Sequence, residues 1–110
     1  MATFEIKRSS DGAYIYHLRA SGNGRIILRG EEYRSKSGCE NGITAVKTNA
    51  PYDARYERLY AANGQYYFNL KAANGSVIGT SETYRASTDR DKGIRLVQEQ
   101  APEAGIHDLT

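Results

Sequence analysis

Two histidines, one cysteine and two matched Tyr-Arg pairs are the residues of this 110-residue chain best suited to chemistry. His17 falls in an alternating stretch, His107 lies near the carboxyl end, and neither has a serine, cysteine or lysine at a spacing typical of a nucleophile and its base. No G-x-S-x-G elbow is present. Gly22-Asn23-Gly24 begins like a phosphate loop but leads into a strand pattern, so no helix N-terminus faces a phosphate. His, Cys, Asp and Glu occur nowhere at metal-ligand spacing. Cys39 sits on an apolar helical stripe, as a small buried hydrophobe does. Asn74-Gly75-Ser76 matches a glycosylation acceptor but, without a secretory signal, reads as a turn. The expectation is a protein without enzymatic activity, cofactor or metal.

Two other groups of residues could bind rather than react. Glu31-Glu32-Tyr33-Arg34 and Glu82-Thr83-Tyr84-Arg85 both place Tyr and Arg where a strand gives way to a helix. One reading makes Tyr33, Arg34, Tyr84 and Arg85 anion corners, each offering an aromatic face and a guanidinium to a small anionic molecule. The other makes the tyrosines staples for the helix start, with Glu and Arg paired at the surface. The second group follows from strand parity, which puts Ile15, His17, Arg19, Gln65, Tyr67, Asn69 and Lys71 on one sheet face, together with Ile27 or Ile78. Such a face suits contact with another protein and, less well, single-stranded nucleic acid or another polyanion. An ordinary solvated face is the alternative.

The elements that position these residues come in two copies. Tyr14, Leu18 and Ala20 return as Tyr66, Leu70 and Ala72, an offset of 52. After the next turn the offset is 51, so that Asn23-Gly24 returns as Asn74-Gly75, Gly42-Ile43 as Gly93-Ile94 and Ala50-Pro51 as Ala101-Pro102. A repeat this short is a supersecondary unit that cannot bury its apolar face alone. In each unit, period-two stretches joined by Asn-Gly turns predict strands. In the first these cover residues 3–8, 14–20 and 25–30. Cys39, Ile43, Val46 and Ala50 then predict a helix capped by Ser35 and stopped by Pro51. Residues 53–60 read as a strand. The second copy gives strands through Tyr66 to Leu70 and Val77-Ile78, a helix over 87–100 and a closing strand over 106–109. Each helix can cover one face of an antiparallel sheet. Gly42 and Gly93 occupy matched interior helix positions, at a cost of about 1 kcal/mol each relative to alanine, which predicts a close approach there.

Length and composition fit one domain, residues 1–110, made of repeats at about 3–54 and 55–110. The net charge of +2 is too small to argue for nucleic acid or an anionic membrane. A lone cysteine cannot form an internal disulfide. The first residues lack the apolar core of a secretory signal, and no run approaches the roughly 20 apolar residues of a membrane span. The chain reads as cytoplasmic, as monomer or homodimer.

The segments 35–43 (SKSGCENGI), 66–75 (YYFNLKAANG) and 77–84 (VIGTSETY) resemble the YegP-like family of small bacterial proteins, and the likeness extends over both copies. The resemblance implies two tandem β-β-β-α-β units forming one antiparallel sheet, with the C-terminal strand of each exchanged onto the other, helices on one face and a pseudo-twofold axis. Single-unit relatives would then build the same object as dimers. It implies no activity or catalytic residues, so no site is carried over. The second helix start, residues 86–93, lacks the Gly-Cys-Glu-Asn run of the first. If the two copies complete one interior, cutting between Pro51 and Arg55 is expected to leave fragments that are unfolded or self-associated. A cooperatively melting monomeric fragment, by calorimetry with sedimentation, would refute this.

Overall fold

The computed structural model describes residues 1–110, an α+β fold with one mixed sheet of seven strands and two helices. In chain order these are β1 (Thr3–Arg8), β2 (Tyr14–Arg19), β3 (Ile26–Arg29), α1 (Lys36–Asn49), β4 (Tyr56–Tyr60), β5 (Tyr66–Lys71), β6 (Val77–Thr80), α2 (Ser87–Gln100) and β7 (Gly105–Asp108). The spatial order is β4-β5-β6-β3-β2-β1-β7. β4, which follows α1, pairs with β5 of the second repeat, and β7, which follows α2, pairs with β1 of the first. β4 takes the place beside β5 that β1 takes beside β2, so of the two expected strand exchanges the structure shows that of β7, which crosses from the second repeat onto the first. The expected antiparallel arrangement holds except at one edge, where β7 runs parallel to β1.

The halves meet where β3 pairs with β6 through Arg29 and Thr80. These positions are 51 apart, so the pseudo-twofold axis passes between them. Beside the axis, Leu28 fills the space that a side chain at its counterpart Gly79 would need, 2.7 Å from where a Cβ would stand. Buried Tyr16 donates its hydroxyl to the Ile78 carbonyl of the other half at 2.5 Å. Its ring lies against Gly30, which has no room for a Cβ. In the second copy the same two positions hold Phe68 and Ser81, whose Oγ accepts from the Phe68 amide at 2.9 Å.

α1 begins as its sequence predicts. Ser35 Oγ accepts from the Gly38 amide at 3.0 Å, and Cys39, Gly42, Ile43 and Val46 face the core. Ala86 offers α2 no such side-chain cap. α1 lies over β2 and reaches β5 and β6, whereas α2 lies over β5 and reaches β3, so each helix covers strands of both repeats. One hydrophobic cluster results, with Phe4, Tyr16 and Leu18 from one half and Phe68, Leu70 and Ile94 from the other.

Two local expectations need correction. Residues 53–60 are not all strand: Asp53–Arg55 form a 3-10 turn. There Arg55 donates its amide to the Tyr52 carbonyl at 3.0 Å and its Nε to Asn49 Oδ1 at 2.9 Å, tying the chain back to α1. Ile27 and Ile78 do not join the helix-free face either. The β2–β3 and β5–β6 registers each shift by one residue, after Leu18 and Leu70, and Ile27 and Ile78 are the extra residues. A bulge breaks the period-two alternation, so two successive side chains turn to the same side. Ile27 joins Leu28 in the core, and Ile78 lies beside Gly79.

The helical glycines are explained by tyrosines. The Tyr33 hydroxyl occupies the place of a Gly42 Cβ, and the Tyr84 hydroxyl stands 2.5 Å from that of Gly93. Gly42→Ala is expected to lower the urea midpoint at constant m-value, by roughly 1–3 kcal/mol of overpacking against a helix gain of about 1 kcal/mol. A variant as stable as wild type would show that the ring yields freely.

Candidate functional site

The helix-free face of the sheet carries one polar row that crosses every strand. His107, Glu5, His17, Arg29, Thr80, Asn69 and Glu57 lie side by side, one from each strand in spatial order. About the axis, His17 corresponds to Asn69 and Glu5 to Glu57. In the second half the row is hydrogen-bonded throughout: Thr80 Oγ1 donates to Asn69 Oδ1 at 2.8 Å and Asn69 Nδ2 to Glu57 Oε1 at 3.3 Å. In the first half Arg19 Nε donates to Glu5 at 2.6 Å, which holds the Glu5 carboxyl below its usual range.

Cations on this face are already paired. Arg19 and Lys7 lie 2.6 and 3.9 Å from Glu5, Arg29 lies 2.6 Å from Glu82, and Lys71 lies 3.3 Å from Glu57. His17 is half-buried among them, and its Nδ1 is covered without a hydrogen-bond partner. Burial, then the neighbouring Arg29, Lys7 and Arg19, push its pKa down. Ile15 and Tyr67 lie on the same face, half-buried, along with Leu59. Of the residues that parity assigns here, Gln65 falls outside the strand. It lies in the turn before β5, where its amide donates to Asn63 Oδ1 at 3.2 Å, and it lines a cleft near α2.

The two Tyr-Arg corners are built alike in their backbone. Tyr14 and Tyr33 exchange two amide bonds, of 2.7 and 2.8 Å, and Tyr66 and Tyr84 exchange two of 2.7 Å. Each corner tyrosine thus ties the approach to a helix and lays its ring on the helix glycine, which accounts for the matched tyrosines without any ligand. The expected pairing of Glu with Arg within each corner does not occur. Glu82 turns to Arg29, and neither Arg34 nor Arg85 has a carboxylate within 4.0 Å.

The corners differ in their surroundings. A hollow of about 390 Å³ at Tyr33 and Arg34 also contains Asp11 and Glu32, an acidic setting for an anion. Beside Tyr84 and Arg85 a cleft of about 620 Å³ opens between β3 and α2. Arg25 and Lys92, two of its lining residues, were not singled out by sequence. They stand 67 positions apart, and only the packing of α2 across the axis brings them together. Cys39 is fully buried and its thiol is pushed up to about 11 by burial, as its place on the apolar stripe implies. No three His, Cys, Asp or Glu side chains are grouped to hold a metal ion, and no helix is long and apolar enough to cross a membrane.

These features define a class: a two-repeat α+β sheet protein whose last strand crosses onto the first repeat and whose sheet has one open face. The chain belongs to the family described as a domain of unknown function, DUF1508, whose model matches it twice, over residues 9–57 and 61–108. It is 51% identical over 107 residues to a UPF0339 protein of Acinetobacter baylyi, covering 97% of this chain and 96% of that one. It is 43% identical to the UPF0339 protein YegP of Escherichia coli K12 over the same shares. The solution structure of YegP from E. coli matches with a TM-score of 0.93 at 42% identity, covering 99% of this chain and 93% of that one. A UPF0339 protein of Shewanella oneidensis matches with a TM-score of 0.92 at 46% identity, covering 99% and 92%. These names carry no activity.

Because the fold favours neutral His17, the unfolded chain binds more protons below its ordinary pKa of 6.5. Stability therefore falls as pH drops through that value. His17→Asn, which copies Asn69 of the other half, is expected to flatten the decline in urea midpoint between about pH 7 and 5. An unchanged slope would remove His17 as its source.

Proposed function

We propose that this protein is a non-enzymatic cytoplasmic interaction module that docks the helix-free sheet face on another protein. The observation that carries the reading is the pairing of charge across that face. Phosphate binding gains from cations whose counterions are released on contact, but Lys7, Arg19, Arg29 and Lys71 each already neighbour a carboxylate. A face of mixed, paired charges around half-buried Ile15, Leu59 and Tyr67 suits a protein surface that matches it charge for charge. Nucleic acid would have to displace the internal partners. The partner this favours carries charges of both signs, set against the Arg19–Glu5 and Lys71–Glu57 pairs, and an apolar contact for Tyr67.

A photo-crosslinking residue in place of Tyr67, introduced in the native cell, is expected to give one dominant protein adduct. The same residue at Glu99, on the exposed side of α2, is expected to give none, and Lys71→Glu is expected to abolish the Tyr67 adduct without moving the melting temperature. Equal adducts at both positions would sink the proposal. So would binding to a single-stranded oligonucleotide that weakens steeply with salt.

A further inference from the structure

The cleft between β3 and α2 lies on the helix-bearing side, away from the sheet face, and it breaks the internal repeat. Its apolar lining includes Ile27, Tyr84 and Leu96. Around it stand Arg25, Arg85 and Lys92, with Asp89 the one carboxylate among its lining residues. None of the three cations lies within 4.0 Å of a carboxylate, although Asp89 shares the cleft. On the sheet face, by contrast, every arginine and lysine named above is paired.

Comparison of the repeats shows where this setting comes from. At the positions matching Arg25, Lys92, Leu96 and Asp89, the other repeat has Ser76, Asn41, Ala45 and Gly38. The second repeat has also lost the helix cap, since Ala86 stands where Ser35 caps α1. The first-turn amides of α2 thus lack the side-chain acceptor that α1 has. Tyr84, Arg85 and Ile27 have like counterparts in Tyr33, Arg34 and Ile78, while Arg25, Lys92 and Leu96 have none. Gathering like charges without counter-charges costs stability, so packing alone does not account for the arrangement.

We propose that the cleft between β3 and α2 binds a small organic phosphate, with its phosphate among Arg25, Arg85 and Lys92 and its planar or apolar body against Tyr84, Ile27 and Leu96. Three cations less one carboxylate leave a charge of +2, matching a phosphomonoester that carries about −1.5 to −2 near pH 7. Arginine presents a planar fork to phosphate oxygens, lysine adds a point charge, and the Tyr84 ring offers a face for stacking. At about 620 Å³ the space holds a body well beyond the phosphate itself. This site does not depend on the sheet-face reading, and each can fail alone.

The test is an amide-resolved NMR titration with phenyl phosphate, set against phenol (body without charge) and inorganic phosphate (charge without body). Phenyl phosphate is expected to give saturable shifts centred on residues 25–27 and 84–93 and to bind more tightly than either control. Arg25→Ser with Lys92→Asn, which copies the other repeat, is expected to weaken it at least about tenfold without lowering the melting temperature. Affinity unchanged in the double variant, shifts centred on Lys7 and Arg19, or no saturation by about 10 mM would overturn the site. Equal affinity for inorganic phosphate would overturn the organic part of the assignment.

Discussion

The structure depends on the narrow join between β3 and β6. Each half presents an apolar sheet face with too little material of its own to cover it. Only when the strands meet do the two faces become one surface that two helices can roof, each lying across both repeats. The join is short in ladder bonds, with Arg29 and Thr80 its one registered pair. Side chains therefore reinforce it: Leu28 packs into the room left by Gly79, and the Tyr16 hydroxyl reaches the Ile78 carbonyl. The crossing of β7 adds a second tie, since it follows α2 of the second repeat yet extends the first repeat's half-sheet beside β1.

Much of this architecture is legible in the residues, because the signals are local and occur twice. Ser35, the apolar spacing from Cys39 to Ala50 and Pro51 define α1 to within a residue. The Asn-Gly turns hold glycines at φ 67° and 89°, where other residues are strained. The matched glycines Gly42 and Gly93 announce a close approach, and the structure supplies its partners in Tyr33 and Tyr84. What escapes a reading of the sequence is whatever interrupts the local period. The bulges at Ile27 and Ile78 carry two predicted surface residues into the core, since alternation cannot register an inserted residue. The turn at Asp53–Arg55 depends on a side-chain bond back to Asn49. The parallel pairing of β7 leaves no trace in its composition.

The candidate sites divide along the same line. Ile15, His17, Arg19, Tyr67, Asn69 and Lys71 fall together because parity is a local rule and no bulge lies within their stretch of strand. The pairing state of their charges becomes visible only when Glu5, Glu57 and Glu82 arrive from neighbouring strands. Arg85 is conspicuous in sequence through its likeness to Arg34, yet that likeness misleads: the shared part of the corner is backbone and tyrosine. The differing parts, Arg25 and Lys92, come from opposite repeats and look unremarkable until the helix crosses the axis.

Leu28 and Gly79 bear on how such a chain could have changed since its halves were identical. A symmetric assembly of single units must accept the same side chain on both sides of its axis, because any substitution appears twice. Tethering the units in one polypeptide lifts that restriction, and here one side has grown into space the other has vacated. The step works as a ratchet. Two copies of the first half would set leucine against leucine, and two copies of the second would leave a void, so neither present-day half could return to life as a homodimer without repacking its centre.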